Sequence, residues 1–332
     1  MILKVSKESQ KDCYPSIMAA IAVLSEARGD KSCEEPVEIL VGPGVYDEVV
    51  EIRRPNVKVK GIEGADKTVI QYGNYANMIM EDGSKRGTFR SYVFLLDGDH
   101  CVLEGLTIRN TAYPRSKVAQ ALALYADGDG IEVRDCNLES YQDTLFTGPL
   151  PPTPVIPGSF VGPKENDVRR MGKQKYVGCT IKGDVDFIFG SAMALFQGCD
   201  LISRNAGEEA DKAPESGILG YVTAASTPEG YPVGYVFDHC RFLSEGCPKG
   251  SVYLGRPWRE YARTVLIDCE LGEHVHPQGF HDWNKEKARE TVFYGEYGSY
   301  GPGAVEDERA SFVRKVTREE ANAFLGVFGI SP

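Results

Sequence analysis

Four short phrases of the sequence place polar side chains inside apolar, strand-like runs. They are Gln120 in QALALY, Gln142 and Asp143 in YQDTLF, Asp186 in DVDFIFG, and Arg256 with Trp258 in YLGRPW. Each phrase alone is weak, because a glutamine before an apolar run is usually a surface residue and QDT usually forms a turn. If the phrases converge in space, carboxylates, amides and an arginine are the groups that would carry the chemistry.

Asp186 poses the sharpest question, because it lies between Val185 and the run Phe187-Ile188-Phe189. A buried carboxylate is costly unless a cation and hydrogen bonds hold it. Strand alternation predicts that Val185, Phe187 and Phe189 share one face and that Asp186 points to the other. An ion pair with Arg256 that only joins two segments is the plain structural alternative.

Several common catalytic signatures are missing from the sequence, namely G-x-S-x-G, the P-loop, G-x-G-x-x-G and H-E-x-x-H. His274 and His276 form an H-x-H with His281 nearby. We interpret these histidines as a turn cluster rather than a metal site. We expect neither a metal nor an organic cofactor.

A repeat is visible at five of the nine cysteines, which share the pattern apolar-x-x-Cys-x-apolar. They are Cys136 in VRDCNL, Cys179 in YVGCTI, Cys199 in FQGCDL, Cys240 in FDHCRF and Cys269 in LIDCEL, and Leu106 takes the same place in LEGLTI. The gaps of 43, 20, 41 and 29 residues between the cysteines suggest two, one, two and one turns of a repeat of roughly 20 residues.

Short β-rich phrases at this period favour stacked coils, in which equivalent side chains form ladders. We therefore predict an all-β fold, a single-stranded right-handed parallel β-helix. Five unrelated strands of a large antiparallel protein are the alternative. Leucine-rich repeats have a similar period, but their asparagine and leucine signature is absent.

The ends of the chain agree with a solenoid. In SIMAAIAVLSEARGD, residues Ile17, Ile21 and Leu24 fall at helical spacing, which predicts an N-terminal helix that caps the first coil. REEANAFLG predicts a short C-terminal helix. No linker divides the chain, so we expect one domain over 1–332. A long loop insertion covers 148–175, and its first part, 148–163, carries six prolines.

Composition narrows the class of partner and the compartment. The net charge of −11 argues against nucleic acid as a partner. No apolar run approaches the length of about 20 residues that a membrane span needs. The odd number of cysteines without a CxxC fits a reducing compartment. We therefore expect a cytoplasmic protein, or a secreted one if the chain has been trimmed, and a monomer.

Taken together with GVYDE (44–48), the four phrases resemble those of pectin methylesterases of carbohydrate esterase family 8, of the bacterial type. The resemblance runs through nearly the whole chain. It includes GTFRS (87–91), LTIRNTA (106–112), GYVTA (220–224), GFHDWN (279–284) and YGEYGSYGPGA (294–304). It implies a right-handed β-helix and an aspartyl esterase that needs no cofactor.

The resemblance also implies a role for each residue at the site. Asp186 would be the nucleophile, Asp143 the general acid and base, and Gln142 the donor to the oxyanion. Gln120 would support that site and Arg256 would keep Asp186 ionised. Trp258 and Phe189 would be apolar walls for the sugar, with Val185 and Thr88 as further substrate contacts. Since two adjacent carboxylates repel each other, we expect their pKa values to separate.

The implied reaction is hydrolysis of methyl esters on polygalacturonate by a carboxylic ester hydrolase, with release of methanol. We expect imported methyl-esterified oligogalacturonides as the substrate, or intact pectin if the protein is secreted. Two alternatives remain open at this point: a β-helix glycosidase with paired carboxylates, and a non-catalytic carbohydrate-binding solenoid.

The sequence departs from the family pattern in three places. Phe146 replaces a frequent tyrosine, so a hydroxyl contact would be missing. Ala225-Ser226 replaces polar or basic residues, which would alter a subsite. The longer proline-rich insertion would wall one end of the groove and favour short chains.

Overall fold

The computed structural model describes residues 1–8, 11–26, 35–205 and 217–330. The strands in these ranges form three sheets in which neighbouring strands are parallel. The chain visits the sheets in rotation, so that each coil adds one strand to a sheet directly beside the strand of the preceding coil. This is the predicted parallel β-helix, and the antiparallel alternative is wrong.

Sheet 1 has eleven strands, β1 (Ile2–Val5), β2 (Val37–Val41), β5 (Val57–Gly61), β8 (Val102–Glu104), β11 (Ile131–Arg134), β14 (Lys173–Val177), β17 (Met193–Gln197), β20 (Tyr235–Asp238), β23 (Arg263–Ile267), β25 (Phe293–Tyr297) and β26 (Val313–Lys315). Sheet 2 has eight, β3 (Gly44–Asp47), β6 (Thr68–Tyr72), β9 (Thr107–Asn110), β12 (Asn137–Glu139), β15 (Thr180–Gly183), β18 (Asp200–Arg204), β21 (Arg241–Glu245) and β24 (Glu270–Leu271). Sheet 3 has seven, β4 (Val50–Ile52), β7 (Phe94–Leu96), β10 (Leu124–Ala126), β13 (Leu145–Thr147), β16 (Val185–Gly190), β19 (Gly220–Ala225) and β22 (Val252–Gly255).

The helices are few and short. They are α1 (Ile17–Glu26), α2 (Arg115–Val118), α3 (Ala288–Thr291) and α4 (Arg318–Gly326), with 3-10 turns at Thr88–Arg90 and Glu306–Glu308. Among the described helices, none combines the length and the apolar character needed to cross a membrane.

The cysteine repeat marks the corner between sheets 1 and 2. The residue after each cysteine pairs in register with its counterpart in the next coil, as Asn137 does with Thr180 and Thr180 with Asp200. All five cysteines and Leu106 are buried. The thiol of Cys179 lies 3.4 Å from the carbonyl oxygen of Val133 in the preceding coil, and that of Cys199 lies 3.3 Å from the oxygen of Tyr176. The predicted ladder of equivalent residues is confirmed.

The predicted number of turns per gap is wrong. Each of the four gaps between cysteines is one coil, because β12, β15, β18, β21 and β24 are successive neighbours in sheet 2. The gap of 43 residues contains the loop that follows β13, and the gap of 41 contains the segment between β18 and β19. Loops of any length can leave a coil without changing the register of its strands, so the spacing alone does not count coils.

Aromatic rings stack inside the β-helix at the spacing of the strands. The ring centroids of Tyr176 and Phe196 are 4.7 Å apart, and those of Phe196 and Phe237 are 4.6 Å apart, with nearly parallel planes. Their strands β14, β17 and β20 are neighbours in sheet 1. This distance equals the spacing between hydrogen-bonded strands. The side chains in the core are therefore stacked in the same register as the paired backbones.

The N-terminal helix covers the first coil, as predicted. Helix α1 buries Ile17 and Ala20 and packs against β1, β2 and β4. The carboxylate of Glu48 accepts hydrogen bonds from the N–H groups of Ile17 (2.9 Å) and Met18 (3.0 Å) at the start of the helix. This contact satisfies two N–H groups that have no partner within the helix and places a negative charge at its positive end.

The C-terminal helix is also present, over the residues that the sequence predicts. A capping box of Thr317 and Glu320 starts α4. The helix and the residues after it pack against Leu195, Val236 and Val265 on the outer face of sheet 1. Its position is therefore along the side of the β-helix.

Candidate active site

The outer face of sheet 3 carries a cleft of about 370 Å³. Phe189 and Ala224 line it, and they continue a ladder of side chains in register across neighbouring strands that includes the buried Tyr125 and Phe146. Eight of the nine residues predicted for the site line this cleft, namely Thr88, Gln120, Gln142, Asp143, Asp186, Phe189, Arg256 and Trp258. The structure therefore brings the separate phrases of the sequence together.

Val185 is the ninth predicted residue, and it does not line the cleft. Its carbonyl oxygen accepts a hydrogen bond of 3.1 Å from the N–H group of Asp143 in the preceding coil. Its expected contact with substrate stays a prediction.

Both aspartates have a left-handed backbone conformation, with φ of +64° at Asp143 and +50° at Asp186. This region is unfavourable for residues with a Cβ, although aspartate and asparagine tolerate it best. Asp143 lies in the turn before β13, and Asp186 lies in β16, the next strand of sheet 3. Adjacent coils thus present two carboxyl groups to one cleft.

A bulge at Asp186 corrects the predicted alternation. The pairing of β16 with β19 joins Val185 to Tyr221 but Ile188 to Thr223, so β16 contains one more residue than β19 in this interval. Phe187 and Ile188 both lie in the central core, whereas Phe189 belongs to the aromatic cluster on the outer face. The prediction that Phe187 and Phe189 share a face is therefore wrong. The extra residue lets Asp186 and Phe189 reach the same cleft.

Arg256 holds the carboxylate of Asp186 through two parallel hydrogen bonds. Its Nε donates to Oδ1 at 2.8 Å and its Nη2 donates to Oδ2 at 2.7 Å. The guanidinium lies between two aromatic rings, 3.9 Å from the ring centroid of Tyr221 and 3.8 Å from that of Trp283. This planar, bidentate arrangement orients the carboxylate and cannot be reproduced by lysine.

The two carboxyl groups differ in their tendency to ionise. Burial and the negative charge of Asp186 raise the pKa of Asp143 well above its usual range. Burial also raises the pKa of Asp186, but the hydrogen bonds and the positive charge of Arg256 oppose that rise. As the pH increases, the pair therefore ionises first at Asp186, and Asp143 keeps its proton longer.

Two amide side chains complete the polar part of the cleft. The backbones of both are hydrogen-bonded between coils, since the carbonyl oxygen of Gln142 accepts from the N–H group of Ala121 at 3.1 Å and that of Gln120 accepts from the N–H group of Ala76 at 2.8 Å. Within the described part of the chain, neither amide side chain makes a hydrogen bond to another group. Their N–H groups are therefore able to donate to a ligand in the cleft.

Aromatic residues form the walls. The ring centroid of Trp258 lies 5.7 Å from that of Phe189 and 6.1 Å from that of Phe160. Lys285 fixes the backbone beside Trp258, because its Nζ donates to the carbonyl oxygens of Pro257 (2.6 Å) and Trp258 (3.2 Å). Burial, with Arg259 and Arg256 nearby, lowers the pKa of Lys285 to about 8.

Sequence reasoning missed Phe89, Phe160, Tyr221 and Trp283 as parts of the site. Phe89, Tyr221 and Trp283 lie in GTFRS, GYVTA and GFHDWN, phrases that carry the family resemblance. The family resemblance of these phrases is the signal in the sequence that points to the three residues. Phe160 lies in the proline-rich loop, for which periodicity gives no signal.

The proline-rich loop covers 148–172, because β14 already begins at Lys173. Leu150 and Phe160 anchor it in the aromatic cluster of the cleft. Arg169 closes the loop by donating to the carbonyl oxygens of Lys164 (2.6 Å) and Glu165 (2.7 Å). The loop is thus a wall of the cleft, through Val155, Ile156, Ser159 and Phe160.

None of the three histidines that the sequence raised as a metal candidate lines the cleft, although the ring centroid of His281 lies 6.0 Å from that of Tyr221. His276 stacks on Tyr253 with ring centroids 4.2 Å apart, and His274 is buried. Burial lowers the pKa of His274 to about 4. Over the described residues, no group of three or more His, Cys, Asp or Glu side chains could hold a metal ion.

A parallel β-helix with an aromatic cleft, two buried carboxyl groups, an arginine and free amide donors is typical of enzymes that act on carbohydrates. The sequence model of the family described as Pectinesterase matches residues 3–149 and 168–327. The chain therefore belongs to the pectinesterase family.

Individual relatives agree with this assignment. A putative pectinesterase/pectinesterase inhibitor from Arabidopsis thaliana is 34% identical over 329 residues, which covers 93% of this chain and 61% of that protein. A solved pectin methylesterase in complex with a hexasaccharide has a TM-score of 0.76 at 30% identity, covering 96% of this chain and 94% of that chain. The pectin methylesterase from Erwinia chrysanthemi has a TM-score of 0.74 at 30% identity, with the same coverage of 96% and 94%.

The curated plant relatives are longer than this chain. The chain spans 61%, 44% and 48% of three of them, or about half their length. The structural neighbours have nearly the length of this chain, and the β-helix is the part that all of them share with it.

Proposed function

We propose that this protein hydrolyses methyl esters of polygalacturonate or its oligosaccharides and releases methanol. The observation that carries the proposal is the contrast between the two carboxyl groups of the cleft. Asp186 is held by Arg256 through two hydrogen bonds, and Asp143 has a pKa well above its usual range. One carboxylate can therefore attack while the other carboxylic acid still has a proton to give.

In the first half of the reaction, an oxygen of Asp186 attacks the ester carbonyl carbon and forms a tetrahedral intermediate. The amide N–H groups of Gln142 and Gln120 stabilise the negative charge that develops on the carbonyl oxygen. The bond to the methoxy group breaks, and Asp143 transfers its proton to the leaving oxygen, which departs as methanol. The product is an acyl-enzyme anhydride.

In the second half, Asp143 is a carboxylate and removes a proton from water. The hydroxide attacks the anhydride carbonyl of the galacturonate, and the bond to the Asp186 oxygen breaks. The products are a galacturonate carboxylic acid, the restored carboxylate of Asp186 and a protonated Asp143. Every proton that leaves one group is held by another, so the cycle needs no additional reactant besides water.

Membership of the pectinesterase family favours this reaction over glycosidic cleavage and over simple carbohydrate binding. The geometry supports the same choice. A glycosidase would use the two carboxyl groups but leave Gln120 and Gln142 without a role. A binding protein would have no need for a carboxyl group with a strongly raised pKa.

We propose short methyl-esterified oligogalacturonides as the preferred substrates. The proline-rich loop supports this preference, because Val155 and Ile156 line the cleft while remaining largely exposed at its rim. A solved relative that binds a hexasaccharide supports an oligosaccharide in this cleft. A wall at the cleft obstructs a long polymer more than a trimer.

The test is methanol release from methyl-esterified trigalacturonide and from highly methylated pectin. The native protein is compared with Asp186→Asn and with Asp200→Asn, which changes a carboxylate that pairs with Arg241 on the outside of sheet 2. We expect Asp186→Asn to lose about 10³-fold or more of the rate and Asp200→Asn to keep it. The trimer should be the better substrate.

Reducing ends without methanol would identify a glycosidase and reject the esterase. Sugar binding without turnover by the native, folded protein would indicate a binding protein. Preference for pectin over the trimer would contradict the proposed role of the loop but not the esterase.

Three finer predictions accompany this function. The bacterial type is a prediction from the length of the proline-rich loop, since the enzymes from Erwinia chrysanthemi and carrot are similar to this chain to nearly the same degree, with TM-scores of 0.74 and 0.77. A cytoplasmic location and a monomeric state are predictions from the sequence alone. Fractionation of the source cells tests the location, and light scattering of the purified protein tests the monomer.

A further inference from the structure

A third buried carboxylate, Asp184, lies two residues before Asp186 in the chain. The side chain of Asp184 is 2% exposed and does not line the cleft. It belongs to the turn between β15 and β16, two residues before Asp186. The proposed reaction gives it no role, although a buried carboxylate is costly unless it is paired.

The backbone next to Asp184 is connected to Asp143. Its Oδ1 accepts a hydrogen bond of 2.6 Å from the N–H group of Val185, and the carbonyl oxygen of Val185 accepts one of 3.1 Å from the N–H group of Asp143. Asp184 thus holds the peptide on the N-terminal side of Val185, and the peptide on its C-terminal side holds the N–H group of Asp143. The carboxylate of Asp184 and the backbone of Asp143 are therefore connected through Val185.

Arg115 supplies the positive charge that faces Asp184. Its Nε lies 3.2 Å from Oδ2 of Asp184, and its side chain is 27% exposed. Arg115 belongs to α2, in the segment between β9 and β10, and does not line the cleft. The pair therefore connects a segment outside the cleft with the backbone beneath it.

We infer that Asp184 is a positioning residue that keeps Asp143 in its protonated form, and that Arg115 limits the strength of this effect by neutralising Asp184. The inference rests on the proposed function, because it concerns the acid of that reaction. The negative charge of Asp184 contributes to the raised pKa of Asp143, after burial and the charge of Asp186.

Within the part of the chain that the structure describes, three charged groups act on Asp143. Asp143 is influenced by Asp186, by Arg256 and by Asp184. Cys247 also lies within the electrostatic influence of Asp184. We expect removal of the Asp184 charge to act mainly on the acid, because the two hydrogen bonds from Arg256 hold the carboxylate of Asp186.

The experiment is the pH profile of kcat/KM for methanol release from methyl-esterified trigalacturonide. The variants are Asp184→Asn, Arg115→Gln and the double variant, with Asp200→Asn as a matched control of charge. The acidic limb of the profile reports the ionisation of Asp186, and the alkaline limb reports the loss of the proton from Asp143.

We expect Asp184→Asn to move the alkaline limb to lower pH and Arg115→Gln to move it to higher pH. Each displacement should be about 0.5 pH unit or more, which is about a threefold change in rate on that limb. The double variant should resemble Asp184→Asn, because Arg115 acts through Asp184. KM, the acidic limb and the profile of Asp200→Asn should not change.

Two results would overturn the inference: alkaline limbs that stay in place, or limbs that move in the same direction in both single variants. If Asp184→Asn fails to fold in urea titrations, Arg115→Gln must still raise the limb and Arg115→Lys must restore it. Carboxyl NMR of aspartate-labelled protein follows the proton of Asp143 without turnover. A native protein that releases no methanol at any pH would reject the proposed function, while the NMR titration would still decide the inference.

Discussion

Two regions of the β-helix use the left-handed backbone conformation, and they differ in which residue types adopt it. In the first region, the residue before each rung of the cysteine ladder has a positive φ, from 50° to 63°. These residues are Gly105, Asp135, Gly178, Gly198, His239 and Asp268. In the second region, the two adjacent coils that carry the carboxyl groups of the cleft, the residues are Asp143 and Asp186, and Trp283 across the cleft also has a positive φ of 56°.

This difference in residue type shows that the corner of the ladder requires only a backbone conformation, whereas the cleft also requires a particular side chain. At the corner of the ladder, glycine, aspartate and histidine all occur, so only the turn of the backbone matters there. At the cleft, both positions are aspartate in adjacent coils. The strain of about 1–2 kcal/mol per residue is present in both regions, but only in the cleft does it place two carboxyl groups side by side.

The same substitution should lower the activity in the cleft and leave it unchanged at the corner of the ladder. Asp143→Asn removes the proton donor and should lower kcat by about 10²- to 10⁴-fold. Asp135→Asn retains the left-handed turn at an exposed position, so kcat should not change. Methanol release under saturating substrate measures both. Equal losses in the two variants would mean that the turn, and not the carboxyl group, is what the cleft requires.

Two ion pairs of the same geometry allow a second comparison. Arg256 binds Asp186 inside the cleft, and Arg241 binds Asp200 on the outside of sheet 2 with bonds of 2.7 and 2.6 Å. Arg256→Lys loses the bidentate contact and the stacking between the two rings, and kcat should fall about 10²-fold. Arg241→Lys should change the free energy of unfolding by less than about 0.5 kcal/mol.

A comparable stability effect of the two lysine substitutions, together with unchanged kcat for Arg256→Lys, would contradict this comparison. Urea unfolding of both variants and kcat of Arg256→Lys supply the measurement.

The raised pKa of Asp143 should also change how the free energy of unfolding depends on pH. Its pKa in the native protein is raised above that in the unfolded chain. The stability that the protonated group contributes is therefore complete below the unfolded pKa, near about 4, and is lost as the pH rises through the native pKa. Asparagine carries no titrating proton, so Asp143→Asn should gain stability over the native protein as the pH rises.

The difference in the free energy of unfolding between Asp143→Asn and the native protein should grow by at most about 1.4 kcal/mol per pH unit. Urea unfolding of both proteins from about pH 4 to about pH 9 measures it, with Asp135→Asn as the control. A difference that stays constant over this range would show that Asp143 ionises normally.

The smallest effect is expected at the corner of the ladder. A Cβ at Gly198 would meet no heavy atom within 4 Å, so Gly198→Ala should cost only the left-handed strain of about 1 kcal/mol. A Cβ at Gly178 would lie 2.7 Å from Oδ1 of Asp135, so Gly178→Ala should cost more. Urea unfolding ranks the two, and kcat should be unchanged in both. A fall in kcat would show that the corner and the cleft are coupled.

The sequence predicted the ladder well because a solenoid repeats its local rules. The phrase around Cys136 returns at Cys179 and Cys199, and the same packing environment explains the same residue type. The polar residues of the cleft were also within reach, because each interrupts an apolar run. Asp143 and Asp186 are such interruptions.

The parts that escaped prediction depend on contacts between distant segments. The bulge at Asp186 arises from the pairing of β16 with β19, and alternation within β16 gives no sign of it. The number of residues in a coil depends on loops that leave the register untouched. The rings of Tyr221 and Trp283 meet at Arg256 only because three segments, 62 residues apart at their extremes, close on each other.

The attachment of the proline-rich loop has a consequence for how such a protein can change. At its two ends, the N–H group of Gly148 donates to Ala126 at 2.7 Å, and the carbonyl oxygen of Gly172 accepts from Met193 at 3.1 Å. Their partners, Ala126 in β10 and Met193 in β17, belong to the stacked coils. Insertions and deletions between the two ends of the loop therefore change the loop without moving the strands of the coils. Evolution can resize the rim of the cleft in single steps while the reacting carboxyl groups keep their places.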